Sequence, residues 1–223
     1  TKTANAGLLN NYTSKVELER GLITSLSFDK DAAKADSVNK VNYIETNYTR
    51  GINGKENSAV EFTARNGAVK VKYDSIVSPS KSVSISCWIN PKTLNPADSW
   101  AISYKPDNLG PHWNTTVGMY PDQWGFEIYS IGRIVYLVRD TIPLNTWTHL
   151  VIVADQSIGR LTFFKNGEKI LERNDLIPFA NSTEFLQLGN DIHSLNGSID
   201  EFRLYQRALS QAEVKALFKQ KVD

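Results

Sequence analysis

The chain has 223 residues, 41% of them hydrophobic, which is enough to bury a sizeable core in one large β-sandwich or two small domains. Lysine and arginine total 25 against 24 for aspartate and glutamate, and the formal charge of +1 argues against nucleic acid, whose phosphates demand clustered cations. No apolar run approaches the roughly 20 residues that span a bilayer, no signal-peptide pattern opens the chain, and the single cysteine, Cys87, excludes an internal disulfide and multi-cysteine metal sites.

Residues 1–20 are polar and mixed, with Leu8 and Leu9 as the only apolar pair before Val16 and Leu18, and read as an N-terminal arm or linker. From Gly21 onward, Leu22, Leu26 and Phe28 share one face of a first strand that ends at Asp29. The segment from Asp29 to Asn57 is rich in Asn, Asp, Lys and Gly and is predicted to be irregular, and connections of that length are usually functional. Alternation then sets in. Val60, Phe62 and Ala64 oppose Glu61 and Thr63, and Val69, Val71 and Tyr73 oppose Lys70 and Lys72, as half-buried antiparallel strands do. Ser82 to Asn90 is the next strand, stopped by Pro91, and places Cys87 in phase with Val83, Ile85 and Ile89 as a small buried hydrophobe. Trp100 to Tyr104 is shorter. Phe126 to Ile131 and Ile134 to Arg139 flank Gly132 as a hairpin, and His149 to Asp155 and Leu161 to Lys165 follow.

Asn166-Gly167 carries the strongest hairpin signal, because both central residues of a type I′ turn need φ > 0. Phe185 to Gly189 is followed by Ile199 to Tyr205, entered from an Asn196-Gly197 turn. Strict alternation on this last strand places Asp200, Phe202 and Leu204 on one face, so the Asp200 carboxylate needs a cation, an arginine or several N–H donors. Ser210-Gln211-Ala212-Glu213 fits a capping box, and Val214, Leu217 and Phe218 form an apolar stripe on the helix it starts. A dozen short strands with one late helix read as an all-β, two-sheet antiparallel β-sandwich.

The candidate functional residues are few. His112, His149 and His193 are widely spaced and form no metal pair, and His149, in a strand beside Trp147, reads as a hydrogen-bonded packing residue. No Gly-x-Ser-x-Gly elbow is present. Trp88 and Trp147 have apolar flanks and are assigned to the core. Trp100, Trp113, Tyr120 and Trp124 fall between Asp98 and Gly125, a segment broken by Pro, Gly and Asn. Aromatic rings on loops offer flat apolar faces to the C–H face of a sugar, with His112 and nearby Asp, Asn and Gln as polar company. The competing assignment is that they cap the sandwich edge. A platform must present its face, so Trp113 and Trp124 are expected to be exposed.

Gly-Ser-Ile-Asp-Glu-Phe-Arg-Leu-Tyr (197–205) followed by Arg-Ala-Leu-Ser-Gln-Ala-Glu-Val (207–214) resembles the closing motif of laminin-G-like domains in the concanavalin-A-like lectin/glucanase superfamily, particularly its bacterial branch. Gly21 to Asp29, Ile52 to Phe62, Ser82 to Pro91, and Asn145 to Val151 leading to Phe164-Lys165-Asn166-Gly167-Glu168 agree in order. The resemblance implies a concanavalin-A-like jelly roll over residues 21–218, with 219–223 as a C-terminal tail and the first and last strands paired. The superfamily's retaining hydrolases carry Glu-x-Asp-x-Glu on one strand, a spacing absent from this sequence; Asp200-Glu201 and Glu127 are the nearest candidates.

The functional expectation is therefore a non-catalytic carbohydrate-binding or adhesive lectin-like domain of an exported bacterial protein. It is expected to be a monomer with a polysaccharide or glycan as partner, and the resemblance implies a location outside the cell, in the periplasm or on the surface. The alternatives are a glycoside hydrolase and a structural or protein-interaction module attached to an enzyme. The resemblance also implies a structural calcium held by Asp200, Asp29 and the Gly51–Gly54 turn with Asn53. The loop departs from the family's Asp-Ser-Ser-Gly-Asn-Gly pattern, reading Asp36-Ser37-Val38-Asn39-Lys40. In the competing reading Arg50, Arg203 or backbone N–H groups satisfy Asp200.

Overall fold

Period-2 alternation builds strands that each have one apolar face, and two sheets made of such strands must bury those faces against each other. The computed structural model describes residues 17–30, 40–63, 67–77, 82–94, 100–104, 115–119, 123–129, 133–177, 183–189 and 195–220. Within them the strands are β1 (Leu22–Leu26), β2 (Lys40–Ile44), β3 (Thr46–Thr49), β4 (Ala59–Thr63), β5 (Ala68–Val77), β6 (Ser82–Thr93), β7 (Trp100–Tyr104) and β8 (Thr115–Met119). They continue with β9 (Trp124–Tyr129), β10 (Arg133–Val138), β11 (Thr148–Asp155), β12 (Arg160–Lys165), β13 (Glu168–Arg173), β14 (Thr183–Gly189) and β15 (Asn196–Tyr205), and helix α1 (Gln211–Lys219) closes the described chain.

One sheet has the order β13-β12-β11-β6-β15-β4-β3, with β1 also paired to β15; the other runs β10-β9-β8-β7-β14-β5-β2. Every strand pair is antiparallel, and the expected pairing of first and last strands is present, with Leu26 opposite Phe202. The main core fills the space between the sheets, with Ile85, Cys87, Ile89, Ile152, Phe163 and Phe202 from one and Val69, Val71, Trp124, Leu186 and Leu188 from the other. A second core lies on the outer face of the first sheet, where Val151, Val153, Phe164 and Tyr205 meet Val214 and Leu217 of α1, together with Leu209 and Leu18. Strand β11 is therefore covered on both faces, which is why its sequence runs apolar without a break from Leu150 to Ala154.

The helix begins as its capping box dictates: the Glu213 N–H donates to Ser210 Oγ at 3.3 Å, and the Ser210 N–H donates to the Glu213 carboxylate at 2.8 Å. Asn166 (φ 51°) and Gly167 (φ 80°) form the left-handed pair that joins β12 to β13. Three expectations are corrected. Strands β2 and β3 occupy part of the segment read as irregular. Strand β6 continues through Pro91 to Thr93; its ladder with β11 has already ended at Ile89 opposite Thr148, so the missing proline N–H costs that ladder nothing. Asn196-Gly197 is not a turn but the start of β15, where Gly197 packs so closely on the Asn90 carbonyl that a Cβ would collide with it.

Candidate functional site

The site follows from how β15 changes partners. On one edge its residues 196–199 pair with β4 and its residues 202–205 with β1, while β6 runs along the other edge. Between those two partners the β6 register shifts from Asp200 to Arg203, and Glu201 takes a left-handed φ of 47°, as a β-bulge requires. The extra residue breaks alternation. Ile199, Phe202 and Leu204 face the core, whereas Asp200 and Arg203 lie opposite Trp88 and Ser86 on the outer face. The expectation that Asp200 shares a face with Phe202 and Leu204 is thereby corrected.

Asp200 is 2% exposed. Its Oδ2 accepts the Ile52 N–H at 2.9 Å and its Oδ1 accepts the Glu201 N–H at 2.8 Å, so the bulge supplies one of its two donors. Ile52 is delivered by the Gly51–Gly54 turn, closed by a Gly54 N–H bond to the Gly51 carbonyl at 3.0 Å. A Cβ on Gly51 would lie 2.7 Å from Asp200 Oδ2, so the approach needs glycine. Neither candidate arginine serves Asp200: Arg50 Nε donates to Glu56 at 2.7 Å, and Arg203 donates to Glu201 at 3.0 Å and Gln220 at 2.8 Å. Burial pushes the Asp200 carboxyl up to about 7; the Ile52 and Glu201 N–H groups oppose that rise, and the negative charges of Glu201 and Asp29 add to it.

Asp29, Asn53 and Asp200 border one cavity, which Ser27, Ser58, Ser86, Trp88, His149, Glu201, Arg203 and Gln220 also line. Its volume of about 40 Å³ accommodates an ion or a few waters but not a sugar ring. Asp29 also receives the Lys55 ammonium at 3.3 Å, and Asn53 Oδ1 accepts the Lys55 N–H at 2.9 Å and the Ser58 hydroxyl at 3.2 Å. Carboxylate and amide oxygens with an excess of negative charge are the donor chemistry of a hard divalent cation. Among the described residues no three acidic or histidine side chains converge closely enough to hold a metal by themselves, so an ion here would also draw on Asn53 and backbone carbonyls and would compete with Lys55.

His149 also lines the cavity. It is 1% exposed, with its ring against Trp88 at 5.0 Å and Phe218 at 5.9 Å, two rings that stack on each other at 5.5 Å. Its Nε2 lies 2.9 Å from Ser86 Oγ, and its backbone N–H donates to Asn166 Oδ1 at 3.0 Å. Burial, aided by the Arg203 charge, pulls the imidazole down to about 3 and keeps it neutral, as befits a packing residue. Ser86 was not singled out in the sequence, and Glu201 and Arg203 were named only as a hydrolase candidate and as a partner for Asp200, because the convergence of the three depends on the bulge and on pairing between distant strands.

The aromatic candidates fare differently. Trp124 is 0% exposed, opposite Met119 and Val138 in β9 and edge-on to Phe163 at 5.4 Å; the expectation of an exposed platform ring is corrected, because the ring fills the inter-sheet core. Trp100 lies in β7 opposite Gly118. Trp113, Tyr120 and His112 lie outside the described residues. Trp88 is buried as expected, whereas Trp147 is only half-buried. Among the described residues no helix is long and apolar enough to cross a membrane.

Residues 62–215 match the family described as the concanavalin A-like lectin/glucanases superfamily. Paraclostridial mosquitocidal protein 1 of Paraclostridium bifermentans is 26% identical over 230 residues, an alignment that takes in 91% of this chain and 18% of the toxin. The crystal structure of that protein's binding domain superposes with a TM-score of 0.68 at 18% identity, over 91% of this chain and 53% of the domain. The binding domain of botulinum neurotoxin serotype D gives 0.72 at 13% identity, over 93% and 53%. The receptor binding domain of the C/D mosaic serotype gives 0.69 at 15% identity, over 90% and 51%. The chain thus spans about half of each solved binding domain, and at these identities the structural likeness speaks for the sandwich alone. With its two antiparallel sheets, its capped closing helix and the match over residues 62–215, the chain belongs to the concanavalin A-like lectin/glucanases superfamily.

Proposed function

We propose that this domain is a non-catalytic recognition module of an exported bacterial protein and that its partner is a glycan displayed on a target surface. The observation that carries this reading is the agreement of two comparisons on one protein: the mosquitocidal toxin aligns by sequence over 91% of this chain, and the structure matched over the same share is that toxin's binding domain. The chemistry of the chain supports it. The Glu-x-Asp-x-Glu strand of the retaining hydrolases is missing from the sequence, and the acidic cavity at Asp200 is too small for a sugar ring. The test is a glycan array probed with the purified domain, repeated on cells before and after enzymatic removal of surface glycans. Retention that depends on those glycans supports the reading. Retention that survives glycan removal would reassign the partner to protein, and reducing-sugar release would make the domain an enzyme.

A calcium ion at the Asp29–Asn53–Asp200 cavity is a separate proposal, supported by the unneutralised Asp200 carboxylate and the acidic groups beside it. Binding to the folded state alone raises stability by mass action, so calcium should raise the melting temperature and EDTA should reverse the gain. Equal midpoints in both would show that protein groups alone satisfy Asp200.

A further inference from the structure

Four Asn-Gly pairs occur in the sequence, at Asn53, Asn66, Asn166 and Asn196, and Asn66 lies outside the described residues. Such pairs can modify themselves. The glycine backbone nitrogen attacks the asparagine Cγ, a new N–Cγ bond forms, and the Cγ–NH2 bond breaks as ammonia leaves with the proton. Water then opens the resulting succinimide at either carbonyl, leaving aspartate or isoaspartate. Glycine favours this route because no Cβ hinders the approach and its backbone is free to turn. Whether a given pair reacts depends on the room and freedom the fold leaves it.

Two of the pairs are locked. Asn166 has its Oδ1 drawn away onto the His149 N–H at 3.0 Å, and Gly167 is buried beneath Phe218, whose nearest atom is 3.1 Å from where a Cβ would stand. Asn196 has its leaving amide nitrogen tied to Thr93 Oγ1 at 2.9 Å, and Gly197 is pressed against the Asn90 carbonyl inside the β15–β6 ladder. Asn53-Gly54 differs in exposure and in room, although its Oδ1, like that of Asn166, accepts a backbone N–H. Both residues are exposed, and the space around Gly54 is open, with no heavy atom within 4 Å of a Cβ position. The Asn53 side chain folds back on its own turn, with Oδ1 accepting the Lys55 N–H at 2.9 Å and the Ser58 hydroxyl at 3.2 Å. The Gly54 N–H is engaged by one bond, to the Gly51 carbonyl at 3.0 Å at the end of an exposed turn, which must open before the nitrogen can attack.

We propose that Asn53 is a self-modifying position, and that its conversion to a carboxylate adds a negative charge to the border of the Asp200 cavity. The product would stand beside Lys55 and Ser58 and in the same wall as Asp29 and Asp200. The test is incubation of the folded full chain in mildly alkaline buffer, followed by peptide mass spectrometry at each Asn-Gly pair. Acid forms at position 53 should accumulate several times faster than at 166 or 196, and the three rates should converge when the chain is held unfolded. The Asn53→Gln variant should lose the acidic species that aged wild type gives on ion exchange, and Asn53→Asp should co-elute with it. Conversion at 166 or 196 as fast as at 53 in the folded protein, or no conversion at 53 while the unfolded chain reacts, would overturn the proposal.

Discussion

Replacing His149 by glutamine should change the pH dependence of stability in a way that can be worked out beforehand. The imidazole titrates near 6.5 when unfolded and near 3 in the fold, because it is buried against the stacked rings of Trp88 and Phe218 and feels the Arg203 charge. A depressed folded value means that the unfolded chain takes up protons that the native state refuses. The stabilisation is complete above pH 6.5 and is lost as pH falls toward 3. At about 1.4 kcal/mol per pH unit that gap amounts to about 5 kcal/mol, comparable to the whole stability of a marginal domain.

Asp200 works in the opposite sense. Its folded value of about 7 lies above the unfolded 3.8, so its contribution is complete below 3.8 and is lost as pH rises through 7. The gap corresponds to about 4 kcal/mol. Between 3.8 and 6.5 the two slopes oppose each other and the wild-type profile should be shallow. His149→Gln leaves Asp200 alone, so the variant, though weaker at neutral pH, should gain stability on acidification. The wild-type advantage should shrink by about 3 kcal/mol between pH 6.5 and about pH 4. Urea unfolding followed by tryptophan fluorescence at a series of pH values measures that difference directly. A difference independent of pH would refute the account of His149 as a neutral buried residue.

Trp124→Ala should cost about 3–5 kcal/mol in denaturant unfolding, the range for deleting a large buried ring, and should leave ligand binding by the folded fraction unchanged. Because Trp124 Nε1 has no hydrogen-bond partner among the described residues, Trp124→Phe should be far milder; equal losses would point to an unseen indole bond. Gly51→Ala should cost about 1–3 kcal/mol, because its Cβ would press on Ser58 Oγ and Asp200 Oδ2, and a loss below about 0.5 kcal/mol would show that the turn gives way freely.

The fold was legible wherever period 2 ran unbroken. Val83, Ile85, Cys87 and Ile89 point inward as their spacing demands, and the Ser210–Glu213 box marks the helix start to the residue. Strands β2 and β3 were missed: Val41 and Tyr43, then Tyr48, pack against the core at alternate positions, but their Lys and Asn neighbours obscured the pattern. Trp124 is in phase with Phe126 and Ile128, so the same period carries it into β9, whereas its position after a Pro-rich stretch suggested a loop.

The site was harder to read. Asp29, Asn53 and Asp200 do border one cavity, but a family resemblance brought them together, since Asp200 is separated in sequence from the other two by more than a hundred residues. The bulge at Glu201 turns Asp200 away from the core, and one left-handed non-glycine residue leaves no mark in a sequence. The Ser86–His149 contact depends on the register of β6 with β11, which local pattern does not encode.

The central claim, that this sandwich recognises a surface glycan without altering it, is tested most directly by measuring the affinity of the purified domain for isolated candidate glycans and then analysing the same glycans for cleavage. The account predicts saturable binding and intact ligand. Saturable binding with cleaved ligand, or no binding to any glycan that the target cells display, would contradict it.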